Sequence, residues 1–427
     1  MKRAALILII ILLFSPSLIK AEVTTLTLDE AVSIALRDNR DILLKNEDIN
    51  KAKAKIAEAR SGLLPSLNVS ASLSNTRGLY TKDLNQIAGQ AGVKQTLYEG
   101  GKIINTIKYS EYGVTIAQAL LDKVKLEILF NVKKAFYTFL LAQEFNHLNK
   151  QILDNTRSHI EMIEARYKSG QASQSDVLMI KEALASVVEA YEASLNQLEA
   201  TLSLLKNLLY LDEKTDIKPI GEFSYELREI AYDEGFLKAM QARPEIRQYE
   251  AQTKAAEKAI EIAKSDNRPS IYASWDYYSR SHITGLTGAT KNWNDYNVLG
   301  ITFSWPIFDG WATKAKVEQA IVGLKETQMM KEKTMKDIAL ELKNAYLDLK
   351  NALAKIKATQ AEIDLYKDTL SATEEKYKAG IASSLDLDDV SLGYAVSLFN
   401  QKLADYDYIL AKAGFDKATG GDVKCKN

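Results

Sequence analysis

The sequence predicts a mainly α-helical chain that also carries a membrane β-barrel portion, built from one helix-strand-strand-long helix-helix unit used twice. Three observations predict it. An internal repeat covers nearly all of the chain beyond its first residues. Each copy holds a proline-free stretch with heptad spacing, at about 102–168 and 312–378. Each copy also holds two segments in which apolar and polar residues alternate with period two.

The repeat is read from matched motifs. YKSGQASQSDVL at 167–178 matches YKAGIASSLDLD at 377–388 with an offset of 210, and the same offset pairs Tyr98-Glu99-Gly100 with Phe308-Asp309-Gly310. Upstream the offset is 204, aligning LLPSLNVS at 63–70 with NRPSIYAS at 267–274. The change of six residues falls between strand-like segments, as a loop-length difference would. The first repeat is therefore set at 22–215 and the second at 216–427.

Residues 1–21 precede the repeats. Lys2 and Arg3, the apolar run Ala4–Phe14 and the small residue Ala21 have the layout of a secretory signal peptide cleaved after Ala21. The run is shorter than the roughly 20 residues a spanning helix needs, and no later apolar run approaches 18 residues. No cysteine lies near the cleavage point, which argues against a lipid anchor.

Within the first repeat, Thr27-Leu28-Asp29-Glu30 is a capping-box pattern opening a helix to about Ala59, with a local interruption near Asn39. A strand at about 65–76 follows, with Leu67, Val69, Ala71 and Leu73 alternating against Asn68, Ser70, Ser72 and Ser74. A polar loop at 79–89 then leads to a strand at about 90–98. The long helix 102–168 carries the seam Ile128, Val132, Ala135, Phe139 and Ala142, ends at Gly170, and returns as a helix over about 175–208. The second repeat predicts strands at about 269–279 and 296–306 joined by a loop over 280–294. Its long helix at 312–378 has the seam Met335, Ile338, Leu342, Ala345, Leu349, Ala352 and Ile356, and its return helix covers about 384–415. Sixty-seven residues at about 1.5 Å each give a rod of roughly 100 Å, far beyond an ordinary globular helix.

The strands carry the membrane reading. Ile271, Ala273, Trp275 and Tyr277 share one face, as do Leu299, Ile301, Phe303 and Trp305, and all four tryptophans, Trp275, Trp293, Trp305 and Trp311, fall in or beside this strand pair. Alternation alone fits a half-buried soluble sheet equally well. The aromatic belt of Trp275, Trp293 and Trp305, the export signal and strands near ten residues favour a lipid-facing barrel with an aqueous lumen. Four strands cannot close a barrel, and open edges cannot face lipid, so several chains must share one.

Composition narrows the chemistry. Lys plus Arg number 55 and Asp plus Glu 56, a net charge of −1 that advertises no nucleic-acid partner. Cys425 is the one cysteine, which excludes a disulfide framework within the chain, and His147, His159 and His282 lack ligand-like spacing. No HExxH, GxSxG or phosphate-cradling loop occurs. An enzyme, a bound metal and a cofactor are therefore not expected.

In its duplicated order and in the motifs TLTLDEAVSIALRDN at 25–39, TLYEGG and WPIFDG at the strand ends and ILAKAGF at 409–415, the chain resembles outer membrane efflux proteins of the TolC family. The resemblance implies a homotrimer with a twelve-stranded barrel in outer membrane lipid, continuing into an α-helical periplasmic tunnel. It implies an exit duct for efflux or type I secretion, working with a periplasmic adaptor and an inner-membrane transporter of the RND or ABC type. The alternative is a periplasmic coiled-coil adaptor or structural protein, which explains the helices but not the amphipathic strands.

The resemblance also assigns residues. Asp386 and Asp389 match an acidic ring at the periplasmic aperture, and Asp176 with Tyr377 match groups that tie the hairpins shut. Gly170, Ser173, Gly380 and Ser383 are the hairpin tips expected to meet the adaptor. Ala382 stands where a family member carries an arginine, so one charge-assisted restraint is absent. Other readings stay open: Asp386 also suits a helix N-terminal carboxylate, Tyr167 and Tyr377 suit packing at the hairpin necks, the tip residues suit caps, and Asp388 or Asp389 suits a solvated face.

Overall fold

The computed structural model describes residues 24–79, 82–227, 231–283 and 293–421. The expected leader at 1–21, Cys425 and residues 284–292 of the second strand-joining loop lie outside them, as does the His282 side chain.

The first copy runs β1 (Thr24–Leu26), α1 (Leu28–Asp38), α2 (Arg40–Ser61), β2 (Ser66–Leu79), β3 (Lys82–Glu99), α3 (Lys102–Lys168) and α4 (Gln174–Leu208). The second runs β4 (Ile217–Pro219), α5 (Tyr232–Ala242), α6 (Pro244–Ser265), β5 (Ser270–Ile283), β6 (Trp293–Ser304), α7 (Ala312–Lys378) and α8 (Ser384–Ala418). The helices come in equal pairs of 11, 22, 67 and 35 residues. Local chemistry explains the shared boundaries. Thr27 and Glu30 form the reciprocal capping box that starts α1. Asn39 leaves the helix at φ −63°, ψ 126° and separates α1 from α2; its repeat mate Arg243 has φ −62°, ψ 126°, with Pro244 opening α6.

Two compact units form, and neither is a repeat. Among the described residues, one comprises 24–42, 125–227, 231–232 and 342–418; the other comprises 43–79, 82–124, 233–283, 293–341 and 419–421. These units cut across the two repeats: each 67-residue helix contributes its two ends to different units, so every unit draws on both copies.

The first unit is helical. Val132, Ala135, Phe136 and Phe139 of α3 are buried, as are Leu349, Ala352 and Ile356 of α7 with Ala404 and Tyr408 of α8. Small residues in these seams let helix backbones approach closely. The seam residue Met335, which lies in the second unit, is 38% exposed, and Ala345 is half-buried. A 3.5-residue seam on a 3.6-residue helix drifts with length, which carries Met335 at its first position out of contact, while Ala345, between buried Leu342 and Leu349, is only partly covered. Two strands were not expected: β1 pairs in parallel with β4, Thr24 opposite Ile217 and Leu26 opposite Pro219. After β4, the Tyr225 hydroxyl donates to buried Asp405 at 2.5 Å and the Tyr408 hydroxyl donates to the Glu226 carbonyl at 3.0 Å, which pins this connector to α8.

The second unit contains one antiparallel sheet of order β2-β3-β5-β6. Its strands correct the expected polar loop at 79–89. β2 continues to Leu79 and β3 starts at Lys82, paired through Leu79 and Lys82 with an irregularity between Thr76 and Leu79. Gly78, Gly89 and the short polar residues between them read as a loop, but continuous ladder pairing outweighs propensity. Likewise β5 reaches Ile283 and β6 starts at Trp293, shortening the expected 280–294 loop, while β6 stops at Ser304 ahead of Pro306, which has no N–H to offer the ladder.

Candidate membrane face and channel gate

Register builds the sheet's two faces. Leu67, Val93, Trp275 and Leu299 lie in one row across the four strands, and Val69, Ala91 and Tyr277 in the next. The large residues are bare: Val69 is 79% exposed, Leu299 81%, and Leu67, Ile301, Phe303 and Trp305 are all exposed. The opposite face carries Asn68, Ser70 and Ser72 on β2, Gln90 and Lys94 on β3, and Tyr272, Asp276, Tyr278 and Arg280 on β5.

The apolar band also shifts from strand to strand. On β2 it covers Leu67–Leu73, which pair through the sheet with Leu299–Trp293, whereas on β6 it covers Leu299–Trp305. A six-residue shift over three strand spacings is about 20 Å along the strands for about 14 Å across, a tilt near 55°. That is within about 10° of the roughly 45° of transmembrane strands. Trp275, Trp293 and Trp305 are all exposed, with Trp305 Nε1 donating to the Asn267 carbonyl at 3.3 Å.

At the hairpin tips, the two copies repeat one construction. Gly170 and Gly380 take φ +75° and +73°, and the Gln171 and Ile381 amides reach back to the Arg166 and Lys376 carbonyls at 2.8 Å. The Ser173 amide donates to Asp176 Oδ2 at 2.8 Å, and the Ser383 amide and hydroxyl donate to Asp386 Oδ2 at 2.8 and 2.7 Å. Hydrogen bonds from the Ser383 amide and then its hydroxyl hold the Asp386 carboxyl below the usual carboxylate range, and those from Ser173 do the same for Asp176. Both carboxylates thus act as caps. Asp389, one turn on, is exposed. Tyr377 is 45% exposed, and among the described residues no hydrogen bond joins it to Asp176, so the expected latch is not made within one chain.

A different tie is present. His159 Nε2 lies 2.7 Å from Asp388 Oδ2, joining the first hairpin through α3 to the second through α8. Asp388 is therefore not a simple solvated face. Farther along the same antiparallel pair, the Phe145 and Phe399 rings sit 5.4 Å apart, and the Thr138 and Tyr406 hydroxyls are 3.0 Å apart. The sequence hid His159 because its partner is 229 positions away.

A tilted amphipathic sheet on a chain of long helical hairpins defines a component of an outer membrane channel. A sequence profile for the outer membrane efflux protein family matches residues 31–209 and 237–421. The chain belongs to that family and is an outer membrane protein. It is 24% identical to the alkaline protease secretion protein AprF of Pseudomonas aeruginosa, over 90% of this chain and 84% of that protein. It is 22% identical to the outer membrane protein TolC of Escherichia coli, over 88% of this chain and 80% of that protein. The fold is similar to that of the CmeC outer membrane channel of Campylobacter jejuni, with a TM-score of 0.76, 19% identity and coverage of 92% of this chain and 85% of that one. It is also similar to the open state of the MtrE outer membrane channel of Neisseria gonorrhoeae, with a TM-score of 0.74, 20% identity and coverage of 93% and 89%.

Proposed function

We propose that three copies of this chain close one twelve-stranded barrel in the outer membrane and line an α-helical tunnel through which an inner-membrane transporter discharges its cargo. The observation that carries this reading is the four-stranded sheet with a bare apolar face and two unpaired edges, β2 and β6. Edges of 14 and 12 residues cannot remain open in hydrocarbon, and pairing β2 of one copy with β6 of the next satisfies both. Asp386 and Asp389 would ring the tunnel aperture, and the hairpin tips at Gly170, Ser173, Gly380 and Ser383 would meet a periplasmic adaptor. The relatives include a protease secretion protein and a pyoverdine export outer membrane protein, so the duct reading covers type I secretion as well as efflux.

His159–Asp388 is then the tip-proximal restraint on the closed gate, and opening separates the second hairpin from the first. The chain does no bond chemistry in this scheme. Membrane fractionation with mass measurement of the detergent-extracted complex tests the assembly. Recovery as a trimer from outer membranes is expected; recovery as a periplasmic monomer would instead support a soluble helical scaffold.

A further inference from the structure

Inside the proposed barrel, one group stands apart. Tyr278 and Tyr296 are direct cross-strand partners whose rings stack 5.0 Å apart at 16°. The Arg280 guanidinium lies 5.2 Å from the first ring centroid and 5.4 Å from the second. All three share the face opposite Trp275 and Leu299, which is the lumen side if the apolar face meets lipid. Stacking on two rings holds the guanidinium in place without a carboxylate.

Among the described residues no carboxylate shares a row of that face with it; Asp295, one position away on β6, lies on the opposite face and accepts from the Ser279 hydroxyl at 2.5 Å. The register row through Arg280 contains Ser72, Ala88 and Asn294, and the adjoining row contains Ser70, Gln90, Tyr278 and Tyr296. Asp276 comes four residues along β5, about 13 Å away, beyond a Debye length of about 8 Å. It is already bonded by Gln90 Nε2 at 3.0 Å, with Lys94 one register row further on, opposite Ser274.

We propose that Arg280, braced by Tyr278 and Tyr296, forms a cationic ring within the barrel that favours anions, opposite in sign to the acidic aperture. This rests on the channel reading above. Three guanidinium groups at one level of the aqueous lumen raise the potential along its wall, as charged rings do in selective pores. A permeating ion would cross aperture and barrel in series. The narrower element dominates, so the ring's preference is masked while the acidic aperture is closed and emerges when that aperture is widened or neutralised.

The test is reversal potential in a potassium chloride gradient across a planar bilayer, using the trimer carrying D386A and D389A as parent. Adding R280Q is expected to raise the potassium-to-chloride permeability ratio at least about twofold, while adding R280K, which retains the charge, leaves it near the parent value. An unchanged ratio in R280Q, or an equal shift in R280K and R280Q, would overturn the cationic ring while leaving the channel intact. A parent trimer that conducts nothing would overturn the channel reading itself, and the ring with it.

Discussion

Gly100 and Gly101 both take positive φ at the junction from β3 to α3, and their repeat mates Gly310 and Trp311 do the same. The second position tolerates a side chain: a Cβ on Gly101 would find nothing nearer than 3.6 Å, and Trp311 occupies φ +71° in the other copy. The first does not, because a Cβ on Gly100 would sit 2.7 Å from Arg268 Cβ and 2.9 Å from the Ser265 carbonyl oxygen. G101A should therefore cost about 1 kcal/mol from backbone strain, while G100A adds overpacking and should cost about 3 kcal/mol or more. Denaturant unfolding in detergent checks this, and equal costs would contradict it. The Asp386 carboxyl is held below its ordinary value by Ser383, so its capping contribution is fully present above the unfolded-state pKa near 3.9 and is lost as pH falls through the lower folded value. In a D389N channel, the contribution of Asp386 to cation preference should thus persist at pH 5 and fail only below about pH 4. Bilayer selectivity across that range measures it. The motif SSLDLDD displayed Asp386 in the sequence, but the His159–Asp388 contact was not legible, since a single histidine carries no spacing signal.

The two hairpins touch along one face of α3 and one face of α8, and of the pairs His159–Asp388, Phe145–Phe399 and Thr138–Tyr406 the first lies nearest their tips. H159A should weaken this restraint and raise the mean conductance of the closed channel, whereas H147A, at an exposed position farther from the tips, should leave it unchanged; single-channel recording separates them. Removing the Tyr225 hydroxyl takes a donor from Asp405, which is 7% exposed and would retain the Gln401 amide at 3.0 Å. Y225F should cost about 1–3 kcal/mol in unfolding free energy with unaltered ion selectivity, because it loosens a connector and not the lumen. Elements as such were largely visible beforehand. The repeat and the heptad seams located the long helices, since 67 residues without proline leave few alternatives. The three-residue strands β1 and β4 were invisible, because so short a run has no measurable period. The far ends of β2 and β3 do not show as strand in the sequence, because polar strand residues and polar loop residues have the same composition.

At the scale of the molecule, one chain is an incomplete object. Its sheet has two open edges and a bare apolar face, and the proposed remedy is closure with two further copies. Strand count and alternation made the need for partners legible from sequence. The division into compact units was not, because sequence repeats record how the gene was duplicated while units record which segments pack, and the long helices pass from one to the other. A proline in the middle of an edge strand tests closure directly: I301P removes one N–H from β6 and should reduce trimer recovery from outer membranes, while L205P, in a buried helix, should prevent folding altogether. A conducting trimer whose tunnel is narrowed by an acidic aperture is what all of these residues serve. Single-channel recording of the purified protein in a planar bilayer, with and without D386A and D389A, tests it most directly. A small cation-selective conductance that rises and loses its selectivity in the double variant is expected; well-folded trimers that conduct nothing in either form would rule out the channel.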